Sequence, residues 1–225
     1  MRTPHGTALA SHYIVWIASF RIVVNTEPET RPADAGWLHA YFKDIAFFIL
    51  LVCINTVIAR FVVISFDIGP GVSYLYVVVA AMIIFTLWFG MCGAVAAYAG
   101  CFIGAGVLGG IPLDVNIVWS LADFWQVVIP LMAFRFFGAD PSVRTARDMG
   151  VLLVFGIVVN NLVGAIWGSL SLFFGGLVGW ADVAGVFFGW WIGNMVVCIV
   201  IVPLLLYLLT PAVRSHELYS HDFWH

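Results

Sequence analysis

The chain has 225 residues, of which 63% are hydrophobic, 16% aromatic and only 9% charged, where an ordinary soluble domain carries roughly a quarter charged residues. A mean hydropathy of +1.06 leaves too little polar material to coat a water-soluble core, which excludes a soluble enzyme, and nine Lys and Arg residues leave no basic patch for nucleic acid. The net charge of -3 says less than where the charges fall.

From the N-terminus, the first apolar stretch is Tyr13 to Val24, interrupted by Arg21. It would reach about 18 Å as a helix, short of the ~30 Å hydrocarbon core, so it is expected to lie at the interface as a short helix. A polar linker from Asn25 to Gly36 follows. Six apolar segments come next, approximately at 45–63, 72–89, 91–110, 115–134, 149–170 and 183–209, each long enough to span. Local breakers separate them: Asp67-Ile68-Gly69-Pro70-Gly71, the Phe89-Gly90 junction, Ile111-Pro112-Leu113-Asp114, Gly138 to Asp148, and Gly175-Gly176 through Asp182. The organisation predicted is therefore an N-terminal cytoplasmic and interfacial segment (1–40), an all-α membrane domain of six transmembrane helices (41–211) and a solvated cytoplasmic tail (212–225).

Charge placement orients these spans. With the N-terminus inside, Arg2, Arg21, Arg31, Lys43, Arg135, Arg144, Arg147 and Arg214 fall on the inner side and Arg60 alone does not. The outer loops carry Asp67, Asp114 and Asp182 without Lys or Arg, so the positive-inside rule predicts both termini in the cytoplasm.

The third span carries rows of small residues, Gly93 and Ala97, then Ala96, Gly100 and Gly104, along which backbones can approach closely. Packing inside the chain is one use of that face; docking of another membrane subunit is the other. Pro130 and Pro203 are expected to kink spans four and six. Cys53, Cys92, Cys101 and Cys198 lie in apolar runs without C-x-x-C spacing, which reads as buried and structural rather than as a zinc site or a disulfide framework.

Polar side chains in hydrocarbon are costly and mark candidate sites. Here they are Asn55, Arg60, Asp123, Gln126, Asn160, Asn161 and Asn194. On span four, Trp119, Asp123, Gln126 and Pro130 share one helical stripe; Asn160, Gly164, Gly168 and Ser171 share another on span five, and Trp190, Asn194 and Val197 a third on span six. At 1.5 Å per residue, Asn55 and Asp123 lie about 12 Å below the outer surface, and Gln126, Asn160 and Asn194 about 15 to 17 Å below it. Trp119, Trp125, Trp167, Trp180, Trp190 and Trp191 crowd the half above. Aromatic walls with few orienting polar groups make up a small-molecule pocket; interhelical glue and an interfacial tryptophan belt are the structural uses of the same residues. Asp123 needs a proton or a partner, and Arg60 is the basic candidate, with Asp67 competing for it. No catalytic motif is present, all six histidines lie outside the spans, and the tail with His216, Glu217, His221, Asp222 and His225 reads as solvated rather than as a metal site. Neither an enzyme nor a resident cofactor or metal is expected.

The string Phe66-Asp67-Ile68-Gly69-Pro70-Gly71-Val72-Ser73-Tyr74-Leu75-Tyr76, with Leu87-Trp88-Phe89-Gly90 and Gly93-Ala94-Val95 to Gly100-Cys101-Phe102-Ile103-Gly104, resembles the substrate-binding S components of energy-coupling-factor (ECF) vitamin transporters. That resemblance covers most of 41–210 and implies six helices, both termini inside, an outward-facing pocket, and uptake driven by a separate ATPase and coupling subunit. Gly164 to Leu172 and Gly189-Trp190-Trp191-Ile192-Gly193-Asn194, followed by Pro203, resemble instead the membrane-associated sensor (MASE-type) domain found before histidine kinases and cyclic-dinucleotide enzymes. A sensor followed only by the residues after Pro211 would signal through another chain. The leading expectation is a prokaryotic plasma-membrane protein that binds a small solute for uptake, at Asn55, Arg60, Asp67, Trp119, Asp123, Gln126, Asn160, Asn161, Trp190 and Asn194. The alternative is a non-transporting sensor or an accessory subunit of a larger complex, docking through Gly93, Ala97, Gly100 and Gly104. A channel or secondary transporter ranks last, since no inverted repeat of broken helices is evident.

Overall fold

The computed structural model describes residues 36–69 and 72–220. The chain divides into two units, 1–43 and 44–225, the second of which holds the helix bundle. The Tyr13 to Val24 segment lies outside the described residues.

Helices run in the order α1 (Gly36–Phe61), α2 (Val78–Cys101), α3 (Leu113–Trp119), α4 (Leu121–Phe137), α5 (Ala146–Val151), α6 (Asn160–Phe174) and α7 (Trp180–Val213). A π-helical turn, Phe102–Val107, extends α2, and another, Leu152–Val159, joins α5 to α6. Five helical stretches are long and apolar enough to cross a membrane: Phe42–Phe61, Val78–Val107, Leu113–Phe137, Ala146–Phe174 and Trp180–Val213. This is the make-up of a multi-pass membrane protein. Large apolar side chains cover the outside of the bundle, as with Val196, Ile199, Val200, Leu204 and Leu208 on α7, while Asn194, Val197, Cys198, Val202 and Leu206 on the same helix face inward.

Two features depart from the hydropathy reading. Residues Val63–Gly69 (β1) and Val72–Tyr76 (β2) form an antiparallel pair, with Val63 opposite Tyr76 and Asp67 opposite Ser73, where the sequence suggested the end of one span and the start of the next. Runs of Val, Ile, Phe and Tyr suit a strand as well as an apolar helix, so hydropathy does not separate them. The second departure is in α2. A straight helix of 24 residues would be about 36 Å long, yet the Tyr76 hydroxyl donates to Cys101 Sγ at 3.5 Å, 25 positions away. The chain therefore turns back on itself. Gly90, at φ 59 and ψ -139, makes the turn, a backbone geometry that costs a side-chain-bearing residue about 1–3 kcal/mol. A Cβ on Gly93 would meet the Phe85 carbonyl oxygen at 2.6 Å, so the two arms, 78–89 and 91–101, touch backbone to backbone just beyond the turn.

The α1 helix runs alongside the second arm. Phe47 meets Phe89 edge to face at 4.8 Å near the turn, and a Cβ on Gly104 would lie 2.6 Å from the Thr56 carbonyl oxygen and 3.0 Å from Ala59. Gly100 faces Asn55 in the same way. The small-residue row Gly93, Ala97, Gly100 and Gly104 is thus buried within the chain. A partner subunit docking along Gly100 and Gly104 would have to displace α1.

Helix ends sort by charge. The Trp88 indole N–H donates to Thr210 Oγ1 at 3.0 Å, the Thr210 hydroxyl donates to the Pro141 carbonyl at 3.3 Å, and the Ser220 N–H donates to the Trp88 carbonyl at 2.8 Å. The Gly90 turn, the loop after α4 and the end of α7 therefore share one end of the bundle, with Arg135, Arg144, Arg147 and Arg214. The other end brings Gly175 against Val115 and carries Asp114 and Asp182 at the starts of α3 and α7. Residues 218–220 are not a solvated tail: Leu218, Tyr219 and Ser220 are buried at the basic end. Nor are the cysteines uniformly buried, since Cys53 is exposed on the apolar surface and Cys92 is half-buried.

Candidate functional site

The polar stripes of α4, α6 and α7 meet. Helices α4 and α7 run from the acidic end towards the basic end and α6 runs the opposite way, so successive turns line up as rungs. In the upper rung, Trp119 at the end of α3 and Trp190 on α7 pack edge to face at 5.8 Å, and the Trp190 ring fills the trough left by Gly168 on α6. Four residues further along each helix, the middle rung holds Asp123, Asn194 and Gly164, with the Gln126 side chain folded over Gly164. The lower rung holds Gln126, Asn160, Asn161 and Cys198. The glycine stripe of α6 is a set of recesses for side chains from its neighbours.

Hydrogen bonds in the lower rung run in one direction. Asn161 Nδ2 donates to the Ile157 carbonyl at 2.8 Å and approaches Cys198 Sγ at 3.6 Å, leaving its oxygen to accept from Gln126 Nε2 at 2.6 Å. Asn160 Nδ2 donates to the Gln126 carbonyl at 3.1 Å. Asn160 and Asn161, both fully buried, directly follow the π-helical turn Leu152–Val159, a distortion frequent at functional sites. Asn161 is fully partnered and acts as a bolt between helices.

Other polar atoms of the three rungs are different. Buried polar groups normally find partners, and a lost partner costs about 1–3 kcal/mol. Yet Trp119 Nε1, Trp190 Nε1, one Asp123 oxygen, Gln126 Oε1, Asn160 Oδ1 and both amide atoms of Asn194 have no hydrogen-bond partner in the chain. Trp119, Asp123, Gln126, Asn160, Trp190 and Asn194 are all 5% exposed or less. Their unpartnered atoms are seven of the eleven such atoms among the described residues, the others being Asn55 Oδ1, Thr56 Oγ1, Thr86 Oγ1 and Trp125 Nε1.

Behind Asp123 stand two residues that the polar pattern did not mark. Cys101 lies beside Asp123, and Tyr76 donates to Cys101 at 3.5 Å. The hairpin fold of α2 makes this contact possible, because only the reversal at Gly90 returns Cys101 to the level of β2. Sequence spacing alone carries no signal for it.

Other expected site residues fall elsewhere. Asn55 is buried at the seam between α1 and the second arm of α2, its Nδ2 donating to the Leu51 carbonyl at 3.0 Å. Arg60 is exposed, with its guanidinium 5.8 Å from the Phe61 ring centre, and no ion pair joins it to buried Asp123 among the described residues. Asp67 belongs to β1 by its backbone, and its side chain lies outside the described residues.

A groove of about 490 Å³ opens at the acidic end between α3 and α6, lined by Asp114, Val115, Val118, Trp167, Ser171 and their neighbours. Val118 and Trp167 each stand next in sequence to a residue of the upper rung, Trp119 and Gly168. The seam is closed by Trp167 Nε1, which donates to the Val118 carbonyl at 2.7 Å, and the Trp167 ring packs on Trp125 at 5.9 Å. Trp180, 72% exposed, sits where an interfacial belt residue would. Among the described residues no group of three or more His, Cys, Asp or Glu side chains could hold a metal ion. Compared with family models, curated proteins and solved structures, the chain finds no match.

Proposed function

We propose that the protein is a multi-pass receptor for a small solute in a prokaryotic plasma membrane, holding that solute against Trp119 and Trp190 and beside Asp123, Gln126, Asn160 and Asn194. One observation carries the reading: unpartnered, buried polar atoms from neighbouring helices lie on three successive rungs. A structural network would spend those atoms on one another, as Asn161 does. Six crossings with both termini inside accord with it, the two arms of α2 counting separately. In that orientation Arg135, Arg144, Arg147 and Arg214 face the cytoplasm, and Asp114 and Asp182 face outward. The groove at α3 and α6 then opens to the outside, and Trp167 stands between it and the upper rung.

Uptake in the manner of an ECF S component would need a coupling subunit and ATPases. Sensing is the second reading, favoured by the burial of the small-residue row under α1 and by the docking of residues 218–220 against the Gly90 turn. Strain at the rungs would pass through α7 to that docked segment. Native mass spectrometry of the protein purified gently from its own membranes separates the readings. A retained small molecule with an ATPase-containing assembly supports uptake, and a retained molecule without one supports sensing. A preparation with membrane subunits and no releasable small molecule would overturn the receptor reading.

A further inference from the structure

The unpartnered atoms also carry information about the ligand's charge. Hydrogen-bond directions at the rungs are fixed by partners that can only accept: Asn160 donates to a backbone carbonyl, and Gln126 donates to an Asn161 oxygen whose own amide nitrogen is committed to Ile157. Neither amide can flip, so each leaves its oxygen without a partner. With one Asp123 oxygen and Asn194 Oδ1, the lower and middle rungs offer acceptors almost exclusively, the Asn194 Nδ2 being the exception. The other unpartnered donors are the indole N–H groups of the upper rung, whose rings also present aromatic faces.

A carboxyl in hydrocarbon is protonated or set against a counter-charge, and a ligand that supplies the charge favours the ionised form. Among the described residues no Lys, Arg or His shares the level of Asp123, and Cys101 and Tyr76 behind it are uncharged donors. Resting on the receptor reading, we infer that the site takes a small organic cation bearing N–H donors, a protonated amine or guanidinium. Its charge rests against Asp123, its N–H groups reach the Gln126, Asn160 and Asn194 oxygens, and its apolar part lies against Trp119 and Trp190. Carboxylate-bearing ligands are disfavoured, since against an ionised Asp123 they would set a second negative charge among acceptors. Cationic groups over indole rings add about 0.5 to 2 kcal/mol of attraction in a desolvated setting.

The test uses the full chain in nanodiscs and three probes of one ring and different charge: benzylammonium, benzamide and benzoate, read by tryptophan fluorescence and thermal shift. Benzylammonium is expected to bind at least about tenfold tighter than benzamide, the difference a charge-assisted hydrogen bond makes, and benzoate to give no response. Asp123→Asn should erase the preference for benzylammonium over benzamide. Asn194→Leu, which keeps the carboxylate, should weaken both probes and preserve the preference, so the inference stays testable should Asp123→Asn fail to fold. Benzamide or benzoate binding best would overturn the cation class while leaving a receptor. Silence from all three probes also overturns the cation class, and the receptor reading then stands or falls on whether native mass spectrometry finds a retained molecule.

Discussion

The basic end of the bundle and its polar rungs are both rich in hydrogen-bonding side chains, and they treat them in opposite ways. At the basic end the polar groups are spent on one another. Thr145 caps α5 by accepting from the Asp148 N–H at 3.1 Å, and Asp148 accepts from the Thr145 hydroxyl at 2.7 Å and the Asp140 N–H at 3.1 Å. Arg214 pairs with Asp140 at 2.6 Å, Arg135 donates to the Ser220 carbonyl at 3.0 Å, and Gly138 closes α4 in the left-handed conformation. At the three rungs, deeper in the molecule and more costly, partners are missing for Trp119, Asp123, Gln126, Asn160, Trp190 and Asn194. Saturated polar groups are scaffold, and unsaturated buried ones are capacity held for something else.

The contrast can be broken most sharply at the rungs. Asp123→Ala should abolish, and Asn194→Leu should reduce, retention of the bound small molecule in native mass spectrometry while insertion and yield stay intact. Retention at the wild-type level in both variants would remove these residues from the site. Next in size is the recess for Trp190. Gly168→Val places branched carbons inside the indole ring and should destabilise by about 1–3 kcal/mol or more, whereas Gly150→Ala, with open space around it, should be neutral or gain up to about 1 kcal/mol. Thermal melting of both variants in one detergent checks the pair.

At the saturated end, Thr210→Val should cost about 1–3 kcal/mol by leaving the buried Trp88 indole N–H without its acceptor. The smallest effect belongs to Asp140. Burial opposes its ionisation, but the Arg214 guanidinium and the Ser142 N–H outweigh it and hold the carboxyl down to about 2. A carboxyl depressed below its usual ~3.9 stabilises the fold fully above that value and loses the contribution as pH falls towards about 2. With side chains 40% and 42% exposed, the pair contributes at most about 0–1 kcal/mol. Asp140→Asn should leave neutral-pH stability nearly unchanged and flatten the acid limb of the melting curve between about pH 4 and pH 2; an unaltered acid limb would show that the pair contributes nothing.

Much of this architecture was readable from punctuation. Gly90, Pro112, Gly138 and Gly175 mark reversals or helix ends because few other residues fit there, and the tryptophan, asparagine and glycine stripes predicted which faces turn inward. Partner choice was not readable. Nothing in the spacing of Gly100 and Gly104 tells whether α1 or a foreign helix covers them, since close packing asks only for small residues. The β1–β2 pair hides in the same hydropathy as a span, and the Tyr76, Cys101 and Asp123 contact depends on a chain reversal that brings distant positions together. Residues 218–220 looked like a solvated tail because burial there comes from main-chain hydrogen bonds to Trp88 and Arg135, which leave no mark on composition.

The most direct test needs no ligand identity. Melting of ligand-free Asn194→Leu against ligand-free wild type asks whether the buried amide stabilises the fold. An unchanged or higher midpoint is expected, because an unpartnered amide costs stability and an apolar group of similar size does not. A midpoint lowered by the about 1–3 kcal/mol that a working buried hydrogen bond is worth would contradict the receptor reading, and would make the rungs interhelical glue.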